Sequence, residues 1–323
     1  MLSATPPLDL SRFSDRLSRR LGLVFAVGVE LEFYLSSLRL ARQHLAATLR
    51  AEITNPAYGG VTLTPETGSG QFELQFSYRP ELNELTQSIS LLKHTVDELA
   101  SVPGDRPSFR SRPHFSVPGS GLHINLSLRP IAPTDGTDIG CNLDVTIRRA
   151  IAGLLLTMRH GMTLFAPGVE SYFRYRWQSM LPDYRHAGAP RTVSWGHNDR
   201  TAAIRVIRPA GDPAGWRIEH RVSGADADPA LAIAAVLAGV AVGIEAGGNG
   251  SISHDTLDNF SIRSDRCPPL PQTLVESRQC WNHPVFDGPA GETSLGRLWA
   301  AVHDDTTGGV ARVFANRIAT FVS

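Results

Sequence analysis

Lysine is almost missing from this chain. Of 31 basic residues, only Lys93 is a lysine. No G-x-x-x-x-G-K-[ST] phosphate loop occurs, and the scarcity argues against lysine Schiff-base chemistry. Cationic work falls to arginine, whose fixed guanidinium fork matches carboxylates and phosphates. Cysteine is also scarce: Cys141, Cys267 and Cys280 are odd in number, with no C-x-x-C pair. That argues against a disulfide framework or a cysteine zinc site and suits a reducing compartment. Charge of one sign is missing too, since 31 acidic residues balance the 31 basic ones. A nucleic-acid binder would carry a basic excess. The longest apolar run, 230–244, has 15 residues, short of the ~20 that span a bilayer. The opening "MLSATPPLDLSRF" has no signal-peptide pattern. The expectation is a soluble cytoplasmic protein with neither membrane nor nucleic acid as partner.

What the chain does have is a globular composition, 42% hydrophobic and 19% charged over 323 residues, which is ample for a large core. Residues 1–21 read as a short arm with a helical turn or two. Strands are expected at 24–35, on both sides of the turn in "YGGVTLTPETGSGQFELQFSY", at 122–128, near 201–207 and near 216–222. Helices are expected over 37–54, 80–101 (with Pro80 as an early-turn proline), 142–165 and 229–246. Asp228-Pro229 supplies an N-cap and an N1 proline for the last of these. Residues 101–121 and 166–198 read as irregular. Strands separated by long helical hairpins indicate an α+β fold.

Side chains alternate faces along a strand. In "VELEFY", Val29, Leu31 and Phe33 share one face, and Glu30 and Glu32 the other. In "GQFELQF", Gln71, Glu73 and Gln75 oppose Phe72, Leu74 and Phe76. In "LHINLSL", His123, Asn125 and Ser127 oppose Leu122, Ile124, Leu126 and Leu128. Arg217, Glu219 and Arg221 alternate with Ile218, His220 and Val222, and Arg205 lies between Ile204 and Val206. Glu66 sits in the adjacent turn. A solvated antiparallel face is polar in any case. Here, however, Glu, His and Arg recur strand after strand, where a merely wet face would mix in Thr, Lys, Ser and Gln. Glutamate oxygens with one imidazole suit Mg²⁺ or Mn²⁺, and nearby arginines suit phosphate or carboxylate.

The same segments resemble motifs of the glutamine synthetase family. "VGVELEFYL" resembles its G-x-E-x-E-F strand, "PETGSGQFE" its E-x-G-x-G-Q-x-E segment, and "GSGLHINLSL" its G-S-G-x-H-x-H-x-S-L segment. "DRTAAIRV" and "RIEHRVSGADADPALAIAA" resemble two further motifs, in family order. The E-H-R-V-x-G-A-D-A form is most similar to the γ-glutamyl-polyamine and other γ-glutamyl-amine ligase branches. The resemblance implies an arm at 1–21 and a catalytic domain at 22–323, with a curved, mainly antiparallel sheet and helices on its outer face. It also implies ATP as substrate, two divalent metals (Mg²⁺ or Mn²⁺), glutamate or a glutamate-like acid, and an amine. By motif position, Glu32, Glu66 and Glu73 would hold one metal, and Glu30, His123 and Glu219 the other. Arg200, Arg205 and Arg217 would contact phosphates or the transferring phosphoryl group, with Arg200 and Arg205 the catalytic pair. Asn125 and Ser127 would also face ATP. Gly119, Gly121, Arg174 and Arg221 would hold the amino acid.

Several family features differ here. The family's N-terminal β-grasp domain has no counterpart in the 29 residues before Glu30. The family forms rings with sites between subunits, so the resemblance implies a homo-oligomer, and the missing domain leaves room for a separate chain that supplies that part of the site. The second histidine of H-x-H is Asn125. Gly188 stands where the family's flap carries a glutamate, and Pro118 stands for the Asn before G-S-G. The expected function is an ATP-dependent carboxylate–amine ligase of unknown amine. Two other classes stay open: a catalytically impaired homologue that binds nucleotide or amino acid or serves in a complex, and another phosphoryl-transfer enzyme such as a guanidino kinase.

Overall fold

A computed structural model describes residues 9–35, 39–101, 106–131, 143–176, 189–208, 216–248, 255–264 and 266–281. Gly188 and Cys141 lie outside these residues. The seven described strands are β1 (Leu23–Tyr34), β2 (Val61–Pro65), β3 (Gln71–Arg79), β4 (Leu122–Pro130), β5 (Trp195–His197), β6 (Ile204–Ile207) and β7 (Arg217–His220). They form one sheet in the order β2-β3-β1-β4-β7-β6-β5. Every neighbouring pair is antiparallel except β5–β6. With helices on a mainly antiparallel sheet the fold is α+β, as expected.

The main helices are α1 (Leu10–Leu21), α2 (Arg39–Glu52), α3 (Leu82–Ser101), α4 (Leu143–Thr157) and α7 (Pro229–Gly248). Shorter ones are α5 (Met162–Phe165), α6 (Phe173–Arg176), α8 (Asp255–Asn259) and α9 (Leu274–Trp281). The expected helix over 142–165 is thus two helices, parted by a turn at 158–161. Helix α1 is longer than the turn or two expected. Asp9 caps its start by accepting from Arg12 N at 3.0 Å, and Gly22 ends it in the left-handed region at φ 66°. Leu10, Phe13 and Leu17 of α1 are buried in the same core as the sheet. Pro80 is not inside α3. Leu85 N donates to Glu81 O, so the helix starts after Glu81 and the proline sits on its approach.

Asp228 caps α7 as expected, its Oδ1 accepting from Ala230 N at 3.0 Å and Leu231 N at 3.2 Å. The length argument against a membrane span needs correcting, because Pro229–Gly247 is 19 residues with a mean hydropathy of 2.1. By length and composition it could cross a bilayer; it is 78% buried in this fold and serves as a core helix. It crosses α4 backbone to backbone. A methyl group on Gly153 of α4 would collide with Gly239 O and sit 2.5 Å from Gly243 Cα. One on Gly243 would collide with Arg149 O. Helices α1, α3, α4 and α7 pack on the sheet, where Val29, Leu31, Phe33, Leu74, Ile124, Leu126 and Ile218 are buried. The opposite face of these strands is left for the cleft.

Candidate active site

Strand register brings the acids together. Glu30 on β1 lies opposite His123 on β4, and Glu32 lies opposite Glu73 on β3. Glu219 on β7 lies opposite Asn125 on one side and Arg205 of β6 on the other. His123 Nδ1 stands 3.4 Å from Glu30 Oε2, 3.7 Å from Glu219 Oε1 and 3.8 Å from Glu32 Oε1. Two groups of possible ligand atoms result, Glu30–His123–Glu219 and Glu32–Glu73–His123, each with its atoms within 4.8 Å of one another. Glu66, expected with Glu32 and Glu73, lines the same cavity outside both groups; its Oε2 accepts from Thr67 N at 2.9 Å.

The cavity is about 210 Å³ and is lined by Glu30, Glu32, Glu66, Glu73, His123, Arg200, Arg205 and Arg221, among others. Burial pushes the Glu32 carboxyl up to about 7, against the opposing pull of the Arg174 charge. Burial, then the neighbouring Glu30 charge, pushes Glu73 up to about 8. His123 is held neutral, since burial and then the Arg221 charge depress its pKa well below the ordinary value. Its contacts with the carboxylates are therefore not ion pairs. Arg174 Nη2 donates to His123 Nε2 at 3.3 Å, so in this arrangement Nδ1 carries the proton and faces Glu30.

Glu219 is fully buried between two cations. Arg205 Nη1 donates to it at 2.9 Å, and Arg221 Nη1 pairs with its other oxygen. Asn125 Nδ2 donates to Glu30 Oε1 at 3.2 Å. Arg200 is exposed on the cavity rim. Arg217 and Ser127 stand outside the cavity lining, Arg217 exposed and Ser127 half-buried. Arg174 is 1% exposed and does not line the cavity. Its Nη1 donates to Val222 O at 2.8 Å, and Tyr175 Oη donates to the same carbonyl at 2.6 Å.

Gly119 lines the cavity and Gly121 does not, and both make room for neighbouring side chains. A Cβ on Gly119 would lie 2.8 Å from Arg174 Cγ, and one on Gly121 would lie 2.7 Å from Arg174 Nη2 and collide with His123 Nε2. Gly121 N–H donates to Glu32 Oε2 at 2.7 Å. Gln71 reinforces this edge: its Nε2 donates to Gly119 O at 3.0 Å and its Oε1 accepts from Tyr34 Oη at 3.1 Å.

Strict alternation misassigns one residue. Counting from Gln71 puts Tyr78 on the apolar face. The β1–β3 register shifts between Val27 and Val29, so three steps along β3 (Phe76 to Arg79) match two steps along β1. This bulge turns Tyr78 toward the cleft side. There it is 37% exposed and packs beside the open Cα of Gly28; a Cβ on that glycine would be 3.2 Å from the ring. Burial, the largest influence on its hydroxyl, raises the pKa to about 12, against the opposing pull of the Arg217 charge.

A mixed, mainly antiparallel sheet with helices on one face and clustered acids on the other defines an α+β domain. The family described as "Glutamine synthetase, catalytic domain" matches residues 42–284, and the chain belongs to the glutamine synthetase family. Among curated relatives, "Gamma-glutamylputrescine synthetase PuuA" of Escherichia coli (strain K12) is 32% identical over 59% of this chain and 38% of its own length. "Gamma-glutamylethanolamide synthetase GlnA4" of Streptomyces coelicolor is 32% identical over 75% of this chain and 55% of its own. "Glutamine synthetase" of Thermococcus kodakarensis is 31% identical over 72% and 54% respectively. The chain thus spans from over a third to just over half of these relatives. The solved structure "GmaS/ADP complex-Conformation 1" shares the fold at a TM-score of 0.66 and 22% identity, over 95% of this chain and 73% of that one.

The donor set itself fits a hard divalent cation. It is four carboxylates and one neutral imidazole, of which all but the fully buried Glu219 line one cavity. Two of the carboxylates, Glu32 and Glu73, are held toward the neutral form by burial, and a nearby double positive charge would reverse that.

Proposed function

We propose that the chain is an ATP- and Mg²⁺- or Mn²⁺-dependent carboxylate–amine ligase that joins glutamate, or a glutamate-like acid, to an amine. The carrying observation is the convergence of Glu30, Glu32, Glu73 and Glu219 on His123, beside a cavity rimmed by arginine. Relatives named as γ-glutamylputrescine synthetase, γ-glutamylethanolamide synthetase and glutamate–isopropylamine ligase support an amine acceptor.

Glu30, His123 and Glu219 would hold one cation, and Glu32 and Glu73, with Glu66 close by, the other. Bound there, the cations neutralise phosphate charge during phosphoryl transfer. Arg200 and Arg205 flank the place where the γ-phosphoryl of ATP would move to the acid's carboxylate, and their guanidinium groups offset its charge. Tyr78, Arg217 and Ser127, outside the cavity, suit the remainder of the nucleotide. Arg221 reaches the cavity and grips a substrate carboxylate. Arg174, behind it, sets the backbone at 221–222. The amine then displaces phosphate from the acyl phosphate. The exposed Arg200 leaves one side of the cavity open, which suits completion by a second copy of the chain or by a separate β-grasp-bearing chain. A cytoplasmic setting suits the supply of ATP.

Calorimetric titration of Mn²⁺ and a non-hydrolysable ATP analogue into wild type and Glu219→Gln tests this reading. Both ligands are expected to bind wild type and to weaken sharply in the variant. ADP release with glutamate and ammonia, putrescine, ethanolamine or isopropylamine then identifies the acceptor. A wild type that binds neither ligand, alone or with its oligomeric partners, overturns the reading.

A further inference from the structure

We propose that Asp226 is a positioning residue for the amino-acid side of the cleft, acting through Ser111 and Ser171. It rests on the ligase reading above for the identity of the ligand. Asp226 does not line the cavity. Its Oδ1 accepts from Ser111 Oγ, and its Oδ2 accepts from Ser171 Oγ at 2.6 Å. One carboxylate therefore ties together three stretches that are distant in sequence, which carry Gly119 and Gly121, then Arg174, then Arg221.

The first stretch runs from Ser111 to Gly121. Ser120 N donates to Ser111 O at 2.8 Å, and Ala225 N donates to Ser120 O at 3.0 Å. Gly119 and Gly121 follow from the position of Ser120, and Gly121 N–H is the donor to Glu32. The second is the turn that holds Arg174. Ser171 Oγ, three residues before the arginine, also accepts from Gly168 N at 3.0 Å, which fixes the start of that turn. The third is the β7–α7 connection, where the carbonyls of Arg221 and Val222 receive the Arg174 guanidinium. Gly224 leaves the space for the clamp: a Cβ there would collide with Ser111 Oγ and lie 2.6 Å from Asp226 Oδ1. Lys93 Nζ braces the same connection from α3, donating to Ala225 O at 3.0 Å.

The metal-side acids are held differently. Glu30, Glu32, Glu73, His123 and Glu219 stand on paired strands, whose register fixes their backbone without Asp226, and the clamped segments touch this set through Gly121 N–H on Glu32 and Arg174 on His123. Loss of the clamp should therefore split two affinities that a general loss of structure would move together.

The test uses the full chain and four variants: Asp226→Ala, Asp226→Asn, Ser111→Ala and Ser171→Ala. Calorimetry gives the Mn²⁺ affinity, then the glutamate affinity with Mn²⁺ and the ATP analogue present. Amide hydrogen exchange reads residues 108–121 and 167–176. Asp226→Ala is expected to weaken glutamate about tenfold or more, the scale of losing charge-assisted hydrogen bonds. Exchange should rise in both segments while Mn²⁺ affinity changes by less than about threefold, because the metal-side strands keep their pairing. Asp226→Asn should recover most of the glutamate affinity, its amide accepting from one serine and donating to the other. Ser171→Ala should cost glutamate affinity alone but add little on top of Asp226→Ala, because both remove the same link. Unchanged exchange in both segments, equal losses of Mn²⁺ and glutamate, or no rescue by asparagine would each overturn the proposal. Should Asp226→Ala fail to fold, the two serine variants carry the same comparison. A wild type that binds Mn²⁺ but no glutamate sinks the ligase reading instead, and the exchange data still decide whether the clamp exists.

Discussion

On β1, Leu31 is fully buried beneath the helices, and Glu30 and Glu32 on either side of it face the cleft. The two faces of this sheet are interleaved residue by residue and are held by opposite physics. The dry face gains stability from burial of apolar surface, at roughly 25 cal/mol per Å². The wet face opposes folding, because it gathers carboxylates that burial and mutual repulsion disfavour. Folding energy comes from one face and chemistry resides on the other, so substitutions one residue apart should differ in the sign of their effect.

The largest effect is expected beneath the dry face. Gly243→Val puts a branched side chain into the carbonyl of Arg149 at the α4–α7 crossing. It should cost more than about 4 kcal/mol and abolish soluble, cooperatively melting protein. Next, Leu126→Ala on β4 should lower stability by about 2–5 kcal/mol in denaturant titration, with Mn²⁺ affinity per folded molecule unchanged. Loss of metal affinity in that variant would mean that the faces are not independent. The sign then reverses. Glu73→Gln should raise the melting temperature of the metal-free chain while weakening Mn²⁺ binding. The Glu73 carboxyl rises on folding from the ordinary 4.5 to about 8. Below pH 4.5 it is neutral in both states and costs nothing; as pH climbs from 4.5 toward 8 the unfolded carboxyl ionises while the folded one keeps its proton, so the fold loses stability. The gain from Gln should therefore be larger at pH 8 than at pH 5, and the thermal stabilisation of wild type by Mn²⁺ should grow over the same interval. A gain that shrinks with rising pH breaks the comparison. The smallest effect belongs to Ser127→Ala, outside the cavity lining, which should change stability by less than about 0.5 kcal/mol and leave Mn²⁺ affinity alone.

Which parts of this were readable in advance follows from the range of the forces involved. Alternation along a strand is local, so the facing of Glu30, Glu32, Glu73, His123 and Glu219 follows from sequence order. The Asp228-Pro229 start of α7 is local too. Tyr78 was missed because a single bulge, set by pairing with β1, reverses the count. The engagement of Arg174 with the 221–222 carbonyls was also out of reach: motif position assigns the residue, but the direction of a long side chain depends on which backbone arrives beside it. Asp226 resembled an ordinary loop acid, since its two serines lie 115 and 55 residues away. Pro80 was placed one step too far inside α3, because the cap at Glu81 depends on how the helix docks rather than on the proline.

The glycine crossing beneath the sheet bears on how such a chain can change over many generations. An ordinary core contact has size to exchange, so one partner can shrink as the other grows. Where Gly153 meets Gly239 and Gly243 no smaller residue exists, and every replacement can only enlarge. Sequence drift has no gradual route through these positions. The helices can alter their exposed surfaces freely while their separation stays constant, which gives the acid-bearing strands above a platform of fixed spacing on which loops and acceptor specificity can diverge.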